Sequence, residues 1–215
     1  MQQFPSIKLA IPTRVAAPFD HADWVFELKH DGFRALAQIS DGRCDLISRK
    51  NNTYKSFAPV REALAGLRLR DAVLDGEIVS LDDEGRSQFN QLLRRRGEPV
   101  FYAFDLLWLN GEDLRHLPLI RRKERLRRLI DRNKCASLMF AQHIEAKGTA
   151  LFNQVLKWDM EGIICKRKRS EYSATAGWLK VLNPGYTQRD NRQEMFTKFR
   201  GPRVKNAQAA LLEGA

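Results

Sequence analysis

The sequence predicts an α+β fold of largely antiparallel sheets flanked by helices. Segments with strand character are mixed with segments of helical spacing, short turn signals often join the strands, and no regular βαβ alternation occurs. Hydrophobic residues make up 43% of the 215 residues, which is enough for a folded core. The length comfortably accommodates one domain and is short for two.

Four strands and two helices are predicted in the first half of the chain. Residues 24–28 form a strand, and FRALAQIS and RCDLIS form a hairpin around Asp41-Gly42, a pair typical of two-residue loops. Apolar residues at helical spacing predict a helix over residues 56–69. AVLDGEIVSLD is a strand ending at the turn DDEGR, and SQFNQLLRRR is expected to be helical.

The second half begins with PVFYAFDLLWL, a strand that stops at Asn110-Gly111. IRRKERLRRLIDR is an amphipathic helix with Leu126, Leu129 and Ile130 on one stripe and basic residues elsewhere. SLMFAQHI reads as a strand, TALFNQVLKWDM as a helix, and EGIICKR and GWLKVL as strands. We expect the domain to cover residues 1–185 and a basic tail to cover 186–215, where NAQAALLEGA could form a short helix.

Composition narrows the class of protein. Lys and Arg total 37 against 26 acidic residues, a net charge of +11, which suits a polyanionic partner such as nucleic acid. No apolar run is long enough to span a membrane, and the first residues lack a secretion signal, so we predict a cytoplasmic protein. The three widely spaced cysteines are expected to be free thiols.

The segment ELKHDGFRA, residues 27–35, is the first candidate for chemistry. Lys29 ends an apolar strand and is followed by Asp31-Gly32, a turn that lets a ligand approach closely. Taken alone, this pattern is more typical of a surface lysine before a hairpin. No G-x-x-x-x-G-K-[ST] loop and no G-x-G-x-x-G follows a strand, so a bound nucleotide would have to be held by side chains.

Five further segments follow in a defined order: SRKNN at 48–52, LDGEIV at 74–79, FYAFDLL at 101–107, EGIICKR at 161–167 and WLKV at 178–181. With K-x-D-G, they resemble the motifs of the covalent ligase and capping-enzyme superfamily, and especially the adenylation domain of bacterial ATP-dependent DNA ligases of the ligase D kind. The resemblance covers roughly residues 10–183. It implies a nucleotidyltransferase fold, which is ATP-grasp-like.

The resemblance also implies a reaction. A lysine attacks the α-phosphate of ATP and forms lysyl-AMP, AMP passes to the 5′-phosphate of nicked double-stranded DNA, and the 3′-hydroxyl then displaces AMP. Unperturbed lysine is almost fully protonated at pH 7, so the site must favour the neutral amine. Burial, a divalent metal and a second cation are expected to do so.

Each matching residue has an implied role. Lys29 is the catalytic nucleophile, and the metal ligands of Mg²⁺ or Mn²⁺ are Glu161 and, less strongly indicated, Glu77. The nucleotide is expected to contact eight residues: Glu27 and Leu28 through their backbone, Arg34, Arg49, Glu77, Phe104 as the ring that stacks on adenine, Lys166 at a phosphate, and Lys180. The DNA backbone is expected to contact Arg49, Arg167, Lys168 and Arg169. Core packing is the alternative for Phe104, and a solvated face is the alternative for the basic run.

The sequence departs from the family pattern in three places. Leu182 replaces the second lysine of the last motif, usually W-x-K-x-K, and His30 stands where the branch usually has a larger aromatic residue. Family ligases continue into an OB-fold domain, for which this sequence has no room, so a separate OB-fold or repair protein is an expected partner.

Two alternatives to a DNA ligase stay open. The first is an RNA ligase or capping-type nucleotidyltransferase, and the second is a non-catalytic DNA-binding relative that keeps the nucleotide pocket. Membership of the ligase D branch would indicate DNA repair and recombination.

Overall fold

The computed structural model describes residues 4–188. In chain order the elements are β1 (Thr13–Arg14), β2 (Asp20–Lys29), β3 (Phe33–Ser40), β4 (Arg43–Ser48), α1 (Ala58–Ala65), β5 (Asp71–Ser80), α2 (Phe89–Leu93), β6 (Pro99–Leu109), β7 (Glu112–Asp113), α3 (Leu119–Asn133), β8 (Leu138–Phe140), β9 (His143–Lys147), α4 (Gly148–Lys157), β10 (Gly162–Arg167) and β11 (Leu179–Leu182).

These strands form two sheets. Sheet A has the order β1-β11-β10-β2-β9, and sheet B has the order β4-β3-β5-β6-β7 with β8 paired to β6. In the described part of the chain, parallel pairing is limited to β1 with β11 and β6 with β8. The predicted α+β architecture of largely antiparallel sheets is confirmed.

Three clusters of buried apolar residues hold the sheets and helices together. One lies between sheet B and helices α1 and α3, and includes Leu64 and Leu126. A second lies between sheet A and α4, around Phe152. The third joins the two sheets, and includes Leu36 and Trp178. Because neighbouring residues of a strand face opposite sides, each sheet has one face toward its helices and the other toward the second sheet.

The predicted hairpin is confirmed: Asp41 and Gly42 have φ of 50° and 68°, the positive values that a type I′ loop requires between β3 and β4. The prediction of one strand over SLMFAQHI is wrong. Its first part is β8 of sheet B and its last part begins β9 of sheet A, because the chain crosses between the sheets at residues 141–142. The predicted tail helix over 206–215 lies outside the described residues.

Helix α3 differs from its prediction in what it buries. The basic residues were expected away from the apolar stripe, and this is wrong for two of them, since Arg122 and Lys123 are 0% and 1% exposed. Arg122 donates to both oxygens of Asp105 on β6, at 2.7 and 2.9 Å. A buried cation is tolerated when it is paired and hydrogen-bonded in this way.

All three cysteines are free thiols, as predicted, with Cys44 and Cys165 buried and Cys135 half-buried. Among residues 4–188, none of the helices combines the length and apolar character that crossing a membrane requires.

Candidate active site

A cavity of about 710 Å³ lies between the two sheets, a size within the range of pockets that hold small molecules. Strands β2, β10 and β11 of sheet A line it on one side, and β3, β5 and β6 of sheet B on the other. Its walls include Lys29 and all eight residues predicted to contact the nucleotide: Glu27, Leu28, Arg34, Arg49, Glu77, Phe104, Lys166 and Lys180. The structure therefore brings these residues together.

The strand register explains how sheet A presents its cations. Lys29 on β2 lies opposite Gly162 on β10, which lies opposite Leu182 on β11. Two residues away, Glu27 lies opposite Ile164, which lies opposite Lys180. Because cross-strand partners face the same side of a sheet, Lys29, Glu27 and Lys180 share the cavity face. Leu182 shares that face too, so the departure from the family motif removes a cation from the cavity side.

Lys29 lies at one end of the cavity and forms an ion pair with Glu161. Its Nζ donates to Oε2 of Glu161 at 2.6 Å, and the two side chains are 22% and 16% exposed. Glu161 directly precedes β10, and its backbone oxygen accepts a hydrogen bond from the backbone of Asn183 at 3.0 Å. The amine is thus held at a fixed position while some solvent access remains.

Residues 30–32 carry the chain from β2 of sheet A to β3 of sheet B. A Cβ on Gly32 would lie 2.2 Å from the backbone oxygen of Ile78, so glycine is required where this link crosses β5. Asp31 in the same link is buried and accepts a hydrogen bond from Tyr186 at 3.3 Å. The position of Lys29 is therefore fixed from both sheets and from the segment after β11.

His30, the residue after Lys29, is held neutral. Its ring contacts Ser87 through Nδ1 at 3.1 Å and lies 4.3 Å from the ring of Tyr102. Burial, and then the charge of Lys29, lower the pKa of His30 from 6.5 to about 4. His30 therefore adds no positive charge next to Lys29 at neutral pH.

Two more cations lie near Lys29. Burial and the charge of Lys29 lower the pKa of Lys180 below its ordinary value, although Glu161 opposes the shift. Arg49 is exposed on the turn after β4 and lines the cavity. Glu77 lines the opposite wall, on β5. This end of the cavity is suited to anionic groups, and it also carries the carboxylates of Glu77 and, paired with Lys29, Glu161.

Arg34 lines the cavity on β3, and three of its five donors are engaged by protein. It forms a bidentate pair with Asp75 at 3.0 and 2.7 Å and donates to the backbone oxygen of Ala10 at 2.6 Å. Tyr172 donates to the same carboxylate at 2.6 Å. Burial would lower the pKa of Arg34, but the charge of Asp75 outweighs it and raises the pKa. The guanidinium stays charged and its plane is fixed.

Aromatic rings line the other end of the cavity. Phe104 on β6 and Trp178 before β11 meet edge to face with centroids 5.8 Å apart. The buried amine of Lys166 lies 4.4 Å from the first ring and 4.0 Å from the second. Lys166 is four residues beyond Gly162 on β10, which places it about 13 Å along the sheet from the row of Lys29.

The side chain of Glu27 has partners that the sequence did not indicate. It is 2% exposed, and its two oxygens contact Lys123 at 2.6 Å and Lys166 at 2.7 Å. Burial alone would raise the pKa of Glu27, but the charges of Lys123 and Lys166 outweigh it and hold the pKa below its ordinary value. Glu27 thus offers the cavity a charged side chain as well as the expected backbone.

The predicted DNA-binding run lies away from Lys29. Arg167 pairs with Trp24 across β10 and β2, five residues from the Gly162 and Lys29 pair, or about 17 Å along the strands. Arg167 and Arg169 are exposed, and Lys168 forms an ion pair with Glu145. Arg49 is the member of the predicted DNA-binding set that lines the cavity.

Sequence reasoning missed several residues of the site: Ile11, Asp75, Lys123, Tyr172 and Trp178. Lys123 could have been found from helical spacing, because it lies three and four residues from apolar positions of α3. The pairing of Asp75 with Arg34 joins residues 41 positions apart and leaves no local sequence signal.

A lysine paired with a glutamate at one end of a cleft between antiparallel sheets, with aromatic rings at the other end, is the arrangement of a nucleotidyltransferase domain. Comparison with known proteins identifies the family. The sequence model of the ATP-dependent DNA ligase domain matches residues 8–181, and the chain belongs to that family.

The chain is 36% identical over 167 residues to the multifunctional non-homologous end joining protein LigD of Pseudomonas aeruginosa, a match covering 74% of this chain and 20% of that protein. It is 29% identical over 185 residues to the SPbeta prophage-derived DNA ligase-like protein LigB of Bacillus subtilis, a match covering 81% of this chain and 66% of that protein. The chain therefore spans about a fifth of the first relative and about two thirds of the second.

The structure resembles the ligase domain of LigD from M. tuberculosis with a TM-score of 0.70 at 30% identity, over 82% of this chain and 60% of that one. It also resembles a mycobacterial DNA ligase D complexed with ATP and MES. The TM-score is 0.68 at 31% identity, over 83% of this chain and 60% of that one.

Proposed function

We propose that this chain is the adenylation domain of an ATP-dependent DNA ligase, which forms a lysyl-AMP intermediate at Lys29 and transfers AMP to the 5′-phosphate of a nick in double-stranded DNA. One observation carries the proposal: the Lys29 amine lies 2.6 Å from Glu161 at one end of a nucleotide-sized cavity whose opposite end is aromatic. ATP bound with its base at Phe104 would direct its phosphates toward that amine.

In the first step the Lys29 nitrogen forms a bond to the α-phosphorus, and the bond from that phosphorus to the bridging oxygen breaks. Pyrophosphate leaves with the electron pair of the broken bond. Glu161 accepts a hydrogen bond from the attacking nitrogen and is therefore placed to receive a proton from it. Lys180 and Arg49 supply positive charge to the transferring phosphate.

The base end is assigned to Phe104, with Trp178 behind it, and stacking on one aromatic ring contributes about 1–3 kcal/mol. Lys166 was expected at a phosphate. Lys166 is buried beside Phe104 and Trp178, about 13 Å along the sheet from the row of Lys29, and this position favours a contact with the adenine base instead.

A divalent cation fits the phosphate end. Among residues 4–188 no group of three or more His, Cys, Asp or Glu side chains forms a metal cage. Mg²⁺ usually takes one or two carboxylates and completes its shell with water and substrate phosphates, so Glu161 and Glu77 suit it. The cation would neutralise charge on the phosphates. Mn²⁺ could take the same oxygen ligands.

The test is incubation with α-³²P-labelled ATP and Mg²⁺, followed by denaturing electrophoresis and mass spectrometry. We expect a covalent label on the wild type, an added AMP at Lys29, and no label on Lys29→Ala. Lys157→Ala is the matched control, because Lys157 is exposed on α4, on the opposite side of sheet A. Absence of label on the wild type with either metal, with or without an OB-fold partner, contradicts the proposal.

The substrate assignment has its own test. Label from ATP but not GTP, and sealing of a nicked DNA duplex in preference to nicked RNA, support the DNA ligase. Label from GTP indicates a capping-type enzyme, and preferential RNA sealing indicates an RNA ligase. Binding of nicked DNA without any lysyl-AMP indicates a non-catalytic relative. We also propose that the chain acts in DNA repair by end joining, since the name of its Pseudomonas aeruginosa relative states non-homologous end joining for that protein.

A further inference from the structure

Two lysines hold one buried carboxylate in the wall of the nucleotide cavity. Lys166 contacts Oε2 of Glu27 and lines the cavity beside it. Lys123 contacts Oε1 of the same carboxylate from helix α3, on the side away from the cavity lining. The two contacts differ in length by 0.1 Å, at 2.7 and 2.6 Å.

We propose that Lys123 is a positioning residue of the nucleotide site. From behind the wall it keeps the Glu27 carboxylate charged and in one orientation, so that Glu27 and Lys166 present a fixed acceptor and a fixed donor to the bound nucleotide. This inference rests on the proposed function, since it concerns the binding of ATP at the same cavity.

The contacts of Lys123 immobilise its amine. Besides Glu27, its Nζ donates to the backbone oxygen of Ala141 at 3.0 Å and lies 4.6 Å from the centroid of the Phe140 ring. Its side chain is 1% exposed, so water does not compete for the carboxylate. A charge-assisted hydrogen bond in such surroundings fixes its acceptor more firmly than an exposed one.

Glu27 keeps capacity for a ligand although both oxygens are in use. Each carboxylate oxygen can accept two hydrogen bonds; Lys123 donates one to Oε1, and Lys166 contacts Oε2 as an ion pair at 2.7 Å. Without Lys123 the carboxylate would keep only one of its two lysine contacts and could rotate. It would also lose one of the two positive charges that lower its pKa. Both changes disturb what the cavity presents to the nucleotide.

The effect should fall on binding rather than on the chemical step. Lys123 contacts neither Lys29 nor Glu161 through any hydrogen bond or ion pair described in residues 4–188. Glu27 lies two residues before Lys29 on β2, about 7 Å along the strand. Loss of Lys123 should therefore raise KM for ATP and change the maximum rate of lysyl-AMP formation much less.

The experiment compares Lys123→Gln, Glu27→Gln and the double variant with the wild type. Each is assayed for the KM and the maximum rate of labelling by α-³²P-ATP. We expect Lys123→Gln to raise KM about tenfold or more, the effect of losing a hydrogen bond between charged groups. The double variant should have the KM of Glu27→Gln alone, because Lys123 acts through Glu27. Lys123→Arg should restore most of the affinity.

Arg122→Gln is the matched control. Arg122 is equally buried on the same helix, but it pairs with Asp105 rather than Glu27. It should lower the melting temperature and leave KM unchanged. If Arg122→Gln raises KM as much as Lys123→Gln does, the role of Lys123 is structural and the proposal is overturned.

Two other outcomes overturn it: an unchanged KM in Lys123→Gln, whatever happens to the maximum rate, or additive effects in the double variant. If Lys123→Gln does not fold, the double variant and Glu27→Gln still decide, because a tenfold difference in their KM contradicts the proposal. Failure of the proposed function looks different, since the wild type then takes no label. In that case, equilibrium binding of labelled ATP to the same set of variants supplies the comparison.

Discussion

The neutral histidine beside Lys29 gives a quantitative prediction about stability and pH. His30 has a pKa of about 4 in the folded protein and 6.5 in the unfolded chain. Between these values the unfolded state binds more protons, so stability falls as the pH falls from about 6.5 to about 4. Over this whole pH range the contribution of His30 to the free energy of unfolding falls by about 3 kcal/mol, and about 2 kcal/mol of this is lost by pH 5.

The measurement is urea unfolding of the wild type and His30→Gln at pH 7.5, 6 and 5. Glutamine keeps a side chain that can hydrogen-bond Ser87 and does not titrate. Other groups titrate in both proteins, so the difference between the two pH dependences isolates His30. The difference in free energy of unfolding, wild type minus His30→Gln, should be about 2 kcal/mol smaller at pH 5 than at pH 7.5.

His116→Gln is the control, because His116 is exposed on the loop before α3. This variant shows what replacing a histidine that does not line the cavity does to the stability curve. Parallel curves for the wild type and His30→Gln would refute the reasoning, since they would mean that His30 protonates as readily in the folded state as in the unfolded one.

Three more predictions concern the catalytic end of the cavity. Glu161→Gln should slow lysyl-AMP formation about a hundredfold in single-turnover labelling, because the carboxylate that contacts the Lys29 amine at 2.6 Å loses its charge; a rate within twofold of wild type would contradict this. Gly32→Ala should destabilise the fold by about 1–3 kcal/mol in urea unfolding, since the new Cβ would lie 2.2 Å from a backbone oxygen of β5. Gly66→Ala, whose nearest neighbour would be 3.6 Å away, should be tolerated, and equal losses in the two variants would count against the packing explanation. Arg49→Ala should weaken binding to nicked duplex DNA and reduce the slope of log affinity against log salt by about one, whereas an unchanged slope would remove this exposed arginine from the DNA interface.

Much of the fold could be predicted because its signals are local. The turn at Asp41-Gly42 and the apolar alternation on either side of it determine the β3–β4 hairpin without any long-range information. The ordered motifs predicted which residues share the cavity, since the resemblance supplies spatial relations that a single sequence lacks. Lys29 and Glu161, which are 132 residues apart, could be associated in this way.

The remainder depended on contacts between distant segments. Lys123 was expected away from the apolar stripe of α3, since lysines are mostly exposed, and its burial requires a partner 96 residues away. The division of SLMFAQHI between two sheets is equally non-local, since its apolar pattern suits one strand and only the relative positions of β6 and β2 determine where the chain crosses. In each case the physical cause is a pairing partner and not the composition of the segment itself.

The three-residue link from β2 to β3 has a mechanical consequence. It joins sheet A to sheet B immediately after Lys29, so a change in the angle between the sheets requires backbone rotations next to this lysine, as well as at the second link in residues 141–142. A side chain at position 32 would displace the neighbouring strand β5, so the link passes close against sheet B. A ligand that contacts both walls of the cleft would therefore hold the sheets, and with them the Lys29 amine, at one relative position.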